Sequence, residues 1–290
     1  IEGHLFLNGK KPIQHRSSYG WGEVIKAALD NHTEHLVISL GGIGSFDGGA
    51  GMLQALGATF YDDEAQIVDM RKGAYLIKYI RRIDLSGVHP QLAKVNIQLM
   101  SDFSSRLYGK KSEIMQTYES LDLSQNEATE IDNLIWYFSE LFKNELKIAM
   151  GPIERGGAGG GIAAVLNSLY QAEILTSHEL VNQITHLENL IQQADLIIFG
   201  EGLKEEDQIL ETTTIRIAEL TQQYSKPAIA ICATNDKFDL FELLNVTAMF
   251  NTFIDMPDSY TDFKMGIQIR HYTVQALKLL KTQINLPLSS

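Results

Sequence analysis

The sequence predicts an α/β protein, and three observations predict it. Short apolar runs alternate with amphipathic stretches at helical spacing, the pattern of parallel βαβ units. Two glycine-rich loops, at residues 41–49 and 156–161, each run straight into a helical stretch. α/β folds aim backbone N–H groups at an anion in this way. Apolar residues make up 44% of the 290, ample for one large domain or two ordinary ones.

The elements follow in order. Ile1 to Leu7 reads as a strand ended by the turn signal Asn8-Gly9. The chain starts inside that strand without a methionine, so a preceding segment is expected. Residues 16–20 read as a loop. Trp21, Val24, Ile25, Ala28 and Leu29 fall at helical spacing. Residues 36–40 read as a buried strand, followed by the first glycine loop and a helix over 50–56 that Gly57 ends. Residues 58–68 read as a hairpin around Asp62-Asp63, and 73–83 as a short helix. A strand over 95–100 ends on Ser101-Asp102. Ile131, Leu134, Ile135, Phe138, Leu141 and Phe142 mark a long amphipathic helix over 124–147, with Ser124 and Glu127 placed as a capping box.

The second glycine loop, Gly156-Gly157-Ala158-Gly159-Gly160-Gly161, opens a helix over 162–171. A helix over 178–193 follows. From Ala194 the pattern changes to a strand over 195–199, the loop Gly200-Glu201-Gly202, and a helix over 211–223. A strand over 228–232, a helix over 236–244, a strand over 248–253 and a last helix over 263–283 complete the chain. The shift near Ala194 sets the expected domain boundary, with domains over 1–190 and 191–290.

Composition excludes several classes. The net charge of −12 argues against nucleic acid as the main partner. Cys232 is the single cysteine, so an intrachain disulfide is excluded, which fits a reducing compartment. No apolar run approaches the roughly 20 residues of a membrane helix, and no secretory pattern opens the chain. A cytoplasmic protein without membrane association is expected. The first glycine loop has neither the G-x-x-x-x-G-K-[ST] pattern nor a dinucleotide fingerprint. No H-E-x-x-H spacing and no G-x-S-x-G elbow occur.

Three carboxylates stand at strand ends or in glycine loops: Asp47, Asp102 and Glu201. Asp47 reads as a charge complementing a helix N-terminus, as a general base, or as a metal ligand. The glycines around it read as a tight turn or as an anion cradle. The second loop reads as a flexible interdomain linker or as a ligand loop, and Arg155 just before it favours the ligand. Glu201, between two glycines at the carboxyl end of a strand, lies where α/β sheets bind ligands. Together the three acids suit Mg²⁺ and a substrate hydroxyl.

In order and spacing over nearly the whole chain, the motifs resemble the bacterial type I glycerate kinases. The carrying stretches are Tyr19-Gly20-Trp21-Gly22-Glu23, GGIGSFDGGAGMLQALGA, Ile83-Asp84-Leu85-Ser86-Gly87, GGAGGGIAA, and residues 194–202, ADLIIFGEG. The resemblance implies two α/β domains. One is flavodoxin-like, discontinuous and incomplete here; the other is a mixed-sheet domain inserted into it. The family's N-terminal strand and D-S-F-K-G segment have no counterpart in this chain.

The implied activity is ATP-dependent phosphorylation of D-glycerate, or a related small hydroxy acid, with Mg²⁺. Asp47 matches the family's loop aspartate, the implied base. Asp102 and Glu201 match acids that help hold Mg²⁺ or substrate. Gly41, Gly42, Ser45, Gly48, Gly49, Gly157, Gly159 and Gly160 are the implied substrate- or nucleotide-binding positions, and homo-oligomers are compatible with this reading. The family's polar loop residues are replaced here by Ile43, Gly44, Ser45 and Phe46. Leu203 and the segment 211–214 replace expected basic residues. A second reading therefore stays open: a glycerate-kinase-like protein that binds a small anionic ligand or a partner without catalysis.

Overall fold

The structure is a computed structural model that describes residues 12–42, 44–201, 213–232, 238–251 and 262–283. It is α/β, with parallel sheets and helices. Two compact units divide it, Ile1–Thr176 and Ser177–Ser290. The division falls earlier than residue 190 because the helices just after Thr176 pack onto a helix of the later unit.

The first unit runs α1 (Tyr19–Asp30), β1 (His35–Ser39), α2 (Ala50–Ala55), β2 (Thr59–Tyr61), β3 (Arg82–Asp84), β4 (Asn96–Met100), α3 (Glu113–Thr117), α4 (Gln125–Leu146), α5 (Ile162–Tyr170) and β5 (Glu173–Leu175). Strands β1, β4 and β5 form a parallel sheet in that order, with Ile38 opposite Leu99 and Leu99 opposite Ile174. Strands β2 and β3 form a separate antiparallel pair. Among the described residues the first unit thus combines parallel and antiparallel pairing.

Packing explains the local differences. The expected hairpin over 58–68 keeps its turn, where Asp62 accepts from the Glu64 and Gln66 amides (3.0 and 2.8 Å). Its return arm makes only an isolated bridge, Tyr61 to Ile67, and Phe60 pairs with Ile83 instead. Part of the expected helix over 73–83 is therefore strand. Helix α4 carries the expected capping box: Ser124 Oγ accepts from the Glu127 amide (3.3 Å) and Glu127 Oε2 accepts from the Ser124 amide (2.9 Å). Its inner face buries Ile131, Ile135, Phe138 and Phe142. Phe138 stacks edge-on against Phe60 and Phe142 at 5.8 and 4.9 Å.

The later unit runs α6 (Ser177–Thr185), α7 (Leu187–Gln193), β6 (Ile197–Glu201), α8 (Thr213–Gln223), β7 (Ala228–Cys232), α9 (Phe238–Leu243), β8 (Ala248–Asn251) and α10 (Asp262–Gln283). The expected helix over 178–193 breaks at His186, which adopts a left-handed φ of 53°. Strands β6, β7 and β8 are parallel in sequence order. All five residues of β7 are buried. Ala228, Ala230 and Cys232 join one apolar cluster with Phe199, Ala218 and Phe241, while Ile229 and Ile231 join another with Ala276. A parallel strand covered on both faces reads as such a continuous apolar run. Cys232 is a buried core residue. Among the described residues no helix is long and apolar enough to cross a membrane.

Candidate active site

Strands β1 and β4 lie side by side, Ser39 opposite Met100. The segments that follow them therefore leave the sheet from one edge. Leu40 N donates to Met100 O (2.9 Å) and Ser101 N to Leu175 O (2.8 Å). This carboxyl edge is where parallel sheets take ligands. It carries the first glycine loop after β1 and half-buried Asp102 after β4. Gly41 and Gly42 are exposed, whereas residues 44–49 are buried. Ile43 lies outside the described residues.

Asp47 is fully buried. Its Oδ2 accepts from Ser18 N (2.8 Å), Ser18 Oγ (3.0 Å), Gly51 N (3.1 Å) and Ser17 Oγ (3.4 Å), and its Oδ1 accepts from Gly49 N (3.1 Å). Ser18 Oγ in turn accepts from Met52 N at 2.9 Å. The carboxylate thus ties the start of α1 to the start of α2 and holds the loop from below. Burial pushes its carboxyl up, against the pull of the donors from Ser18, Gly51 and Gly49. In this geometry Asp47 braces the loop from a fully buried position. The sequence contained Ser17 and Ser18 only as loop residues, so this partnership was missed. Arg16 was missed as well: its Nη1 donates to Gly44 O at 3.3 Å and brings a cation to the loop.

The second glycine loop lies inside the first unit, so it is not an interdomain linker. It packs backbone to backbone against the first. Gly48 N donates to Gly160 O at 2.9 Å. Gly160 has φ 63°, and a Cβ there would sit 1.9 Å from Ser45 O. A Cβ on Gly157 would sit 2.1 Å from Arg106 O. Ser45, Gly48, Gly49, Gly157, Gly159 and Gly160 are buried in this seam. Gly157 and Gly160 permit this close backbone approach. Phe46 is 1% exposed and belongs to the core, which accounts for an apolar residue in the loop.

Glu113, at the start of α3, is the acid that sequence reading missed. It accepts from Gly160 N at 3.2 Å. Burial pushes its carboxyl up to about 7, against backbone donors of Gly160 and Gly159 that pull it down. No motif marks it, because the segment around it matches no expected element.

Glu201 is the last residue of β6, paired with Cys232, so its backbone is strand and not loop. It belongs to the later unit, and Asp47 and Asp102 belong to the first. Gly202 and Leu203 lie outside the described residues, as does the acidic run 205–207. Among the described residues no three His, Cys, Asp or Glu side chains cluster to hold a metal. Asp47 does not fit a metal, since five N–H and O–H contacts take its oxygens. Asp102, at the sheet edge, fits a Mg²⁺ that takes one or two carboxylates and completes its shell with water and phosphate oxygens.

Comparison with known proteins places this arrangement. The model of the glycerate kinase family matches residues 3–269. The chain belongs to the glycerate kinase family. It is 31% identical over 231 residues to the glycerate kinase of Halalkalibacterium halodurans, covering 80% of this chain and 60% of that one. It is 30% identical over 218 residues to the glycerate 2-kinase of Escherichia coli K12, covering 75% of this chain and 57% of the relative. A crystal structure assigned as glycerate kinase 2 from Salmonella typhimurium LT2 superposes with a TM-score of 0.79 at 26% identity, over 96% of this chain and 73% of that one. The chain thus spans about 60% of the length of the curated relatives it matches. For the family member at hand, the sheet edge carrying loop 41–49 and Asp102 is the candidate active site.

Proposed function

We propose that this protein transfers a phosphoryl group from ATP to D-glycerate, or to a related small hydroxy acid, giving a phosphoglycerate. The observation that carries the reading is the shared carboxyl edge of β1 and β4, with an exposed glycine pair and Asp102 side by side in a glycerate kinase family member. Phosphoryl transfer needs little covalent chemistry from the protein; it needs positioning and stabilisation of charge. In this reading Gly41 and Gly42 offer unobstructed backbone at the edge, since no atom lies within 4 Å of a Cβ placed on either. Arg16 brings positive charge to the same loop. Asp47 acts through the loop it braces, as a positioning residue.

Asp102 would hold Mg²⁺, which when bound neutralises charge on the phosphates. Glu201, at the carboxyl end of β6, is the candidate acid of the later unit. On this reading the two units are the family's inserted domain and part of its discontinuous flavodoxin-like domain. The protein works in the cytoplasm, and homo-oligomers are compatible with the site.

ADP formation from ATP, measured with and without D-glycerate and Mg²⁺, tests the proposal. Turnover that needs both, and that falls at least about a hundredfold in Asp102→Asn, supports it. ADP formation indifferent to D-glycerate, or none at all, overturns it and leaves a binding protein without catalysis.

A further inference from the structure

The entrance to α5 carries a run of left-handed residues: Gly159 (φ 65°), Gly160 (φ 63°) and Gly161 (φ 105°). Successive amides in backbone of this kind converge on a concavity that binds an anion. The concavity already contains one. The Glu113 carboxylate takes the Gly160 amide at 3.2 Å and the Gly159 amide beside it. It reaches them from a different element, α3.

A second polar group lies beside Gly157, at the start of the same backbone run. Ser105 is 2% exposed, and its Oγ has no hydrogen-bond partner. It lies 2.9 Å from the place where a Cβ on Gly157 would be. A buried hydroxyl without a partner is uncommon and needs a reason. A planar carboxylate with two oxygens satisfies two amides and leaves that hydroxyl unused. A tetrahedral oxyanion offers further oxygens, one of them for Ser105. Two arginines stand on the same loops: Arg155 two residues before the nest, and Arg106, bonded to Pro152 O at 3.1 Å, next to Ser105 in sequence.

We propose that Glu113 is a built-in anionic occupant of the 157–161 nest, and that the nest takes a tetrahedral oxyanion when Glu113 swings out. That oxyanion is the phosphoryl group of a nucleotide or of a phosphorylated acid. The proposal rests on the kinase reading for the identity of its ligand, but its test needs no turnover. Glu113 acts as a gate on this nest: while its carboxylate is seated, a phosphoryl group cannot enter.

Sulfate is the probe, because its charge is constant across neutral pH. Amide ¹H–¹⁵N shifts are followed during a sulfate titration of the unmodified chain, Glu113→Gln, Glu113→Ala and Glu119→Gln. The last removes a nearby negative charge from an exposed side chain that accepts from the Tyr118 hydroxyl, and controls for net charge. Half-saturation at about tenfold less sulfate in both Glu113 variants than in the other two chains, with Gly159 and Gly160 moving most, is the expected result. Glu113→Gln keeps the test valid if Glu113→Ala does not fold. Equal half-saturation in all four, an equal gain in Glu119→Gln, or shifts confined to other residues (an adventitious ion only) overturns the proposal. Displacing the sulfate with ADP or with phosphoglycerate then tells which phosphoryl group the nest serves. A chain that binds sulfate this way without turning over glycerate keeps this proposal and loses the kinase reading. A chain that turns over glycerate without the sulfate effect does the opposite.

Discussion

Two carboxylates set the chemistry at the residue scale, and each does something a sequence pattern does not announce. Asp47 sits where a catalytic acid is expected, yet all its contacts point inward, to Ser17, Ser18, Gly49 and Gly51. Asn at this position has the same shape but only one acceptor oxygen. Whichever way its amide turns, its NH₂ faces at least one backbone N–H. Asp47→Asn is therefore expected to cost about 3 kcal/mol of stability, read as a lower midpoint in urea unfolding. A midpoint equal to that of the unmodified chain would contradict the brace.

Glu113 makes a pH prediction whose sign is fixed. Its carboxyl is held up at about 7 in the folded chain, from 4.5. The folded state therefore keeps a proton that the unfolded state releases between those values. The stabilisation is fully present below about 4.5 and is lost as pH rises through 7. The unmodified chain should lose on the order of 1–3 kcal/mol over that window relative to Glu113→Gln, measured as unfolding midpoints at pH 5 and pH 8. Parallel pH profiles for the two chains would contradict it.

The seam between the two glycine loops is the structure that matters at the scale of elements. It is built from backbone atoms, so it is sensitive to one methyl group in a way the exposed part of the same loops is not. Gly160→Ala puts a Cβ 1.9 Å from Ser45 O on a left-handed residue and should cost several kcal/mol, about 3 or more. Gly41→Ala meets nothing within 4 Å and should stay within about 0.5 kcal/mol. Similar thermal shifts for both variants would mean that the loops do not pack as described.

This contrast also shows what was legible in the sequence. Period and capping residues were enough for α4, whose capping box forms as read, and for β7, whose unbroken apolar run is buried throughout. The glycines were legible as sites of special backbone, but not as a seam. A glycine that meets a phosphate and a glycine that meets Ser45 O look the same in one dimension. Glu113 was illegible for a related reason. It lies in a short helix with no periodic pattern, and its partner amides are 46 and 47 residues further on. Strand β3 was hidden because its three residues gain their strand character from pairing with β2.

The molecule as a whole consists of two compact units, each organised on a three-stranded parallel sheet. The carboxyl ends of both sheets carry acids singled out by the sequence, Asp102 just after β4 and Glu201 as the last residue of β6. The first of these edges is the candidate site of a glycerate kinase family member. The reaction proposed above would move the γ-phosphoryl group of ATP onto a hydroxyl of glycerate. The measurement that tests it most directly is ³¹P NMR of ATP, D-glycerate and Mg²⁺ incubated with the protein. Loss of the γ-phosphate signal is expected, with a phosphomonoester signal growing in equal amount. An unchanged ATP spectrum, or release of inorganic phosphate without a phosphomonoester, would contradict it.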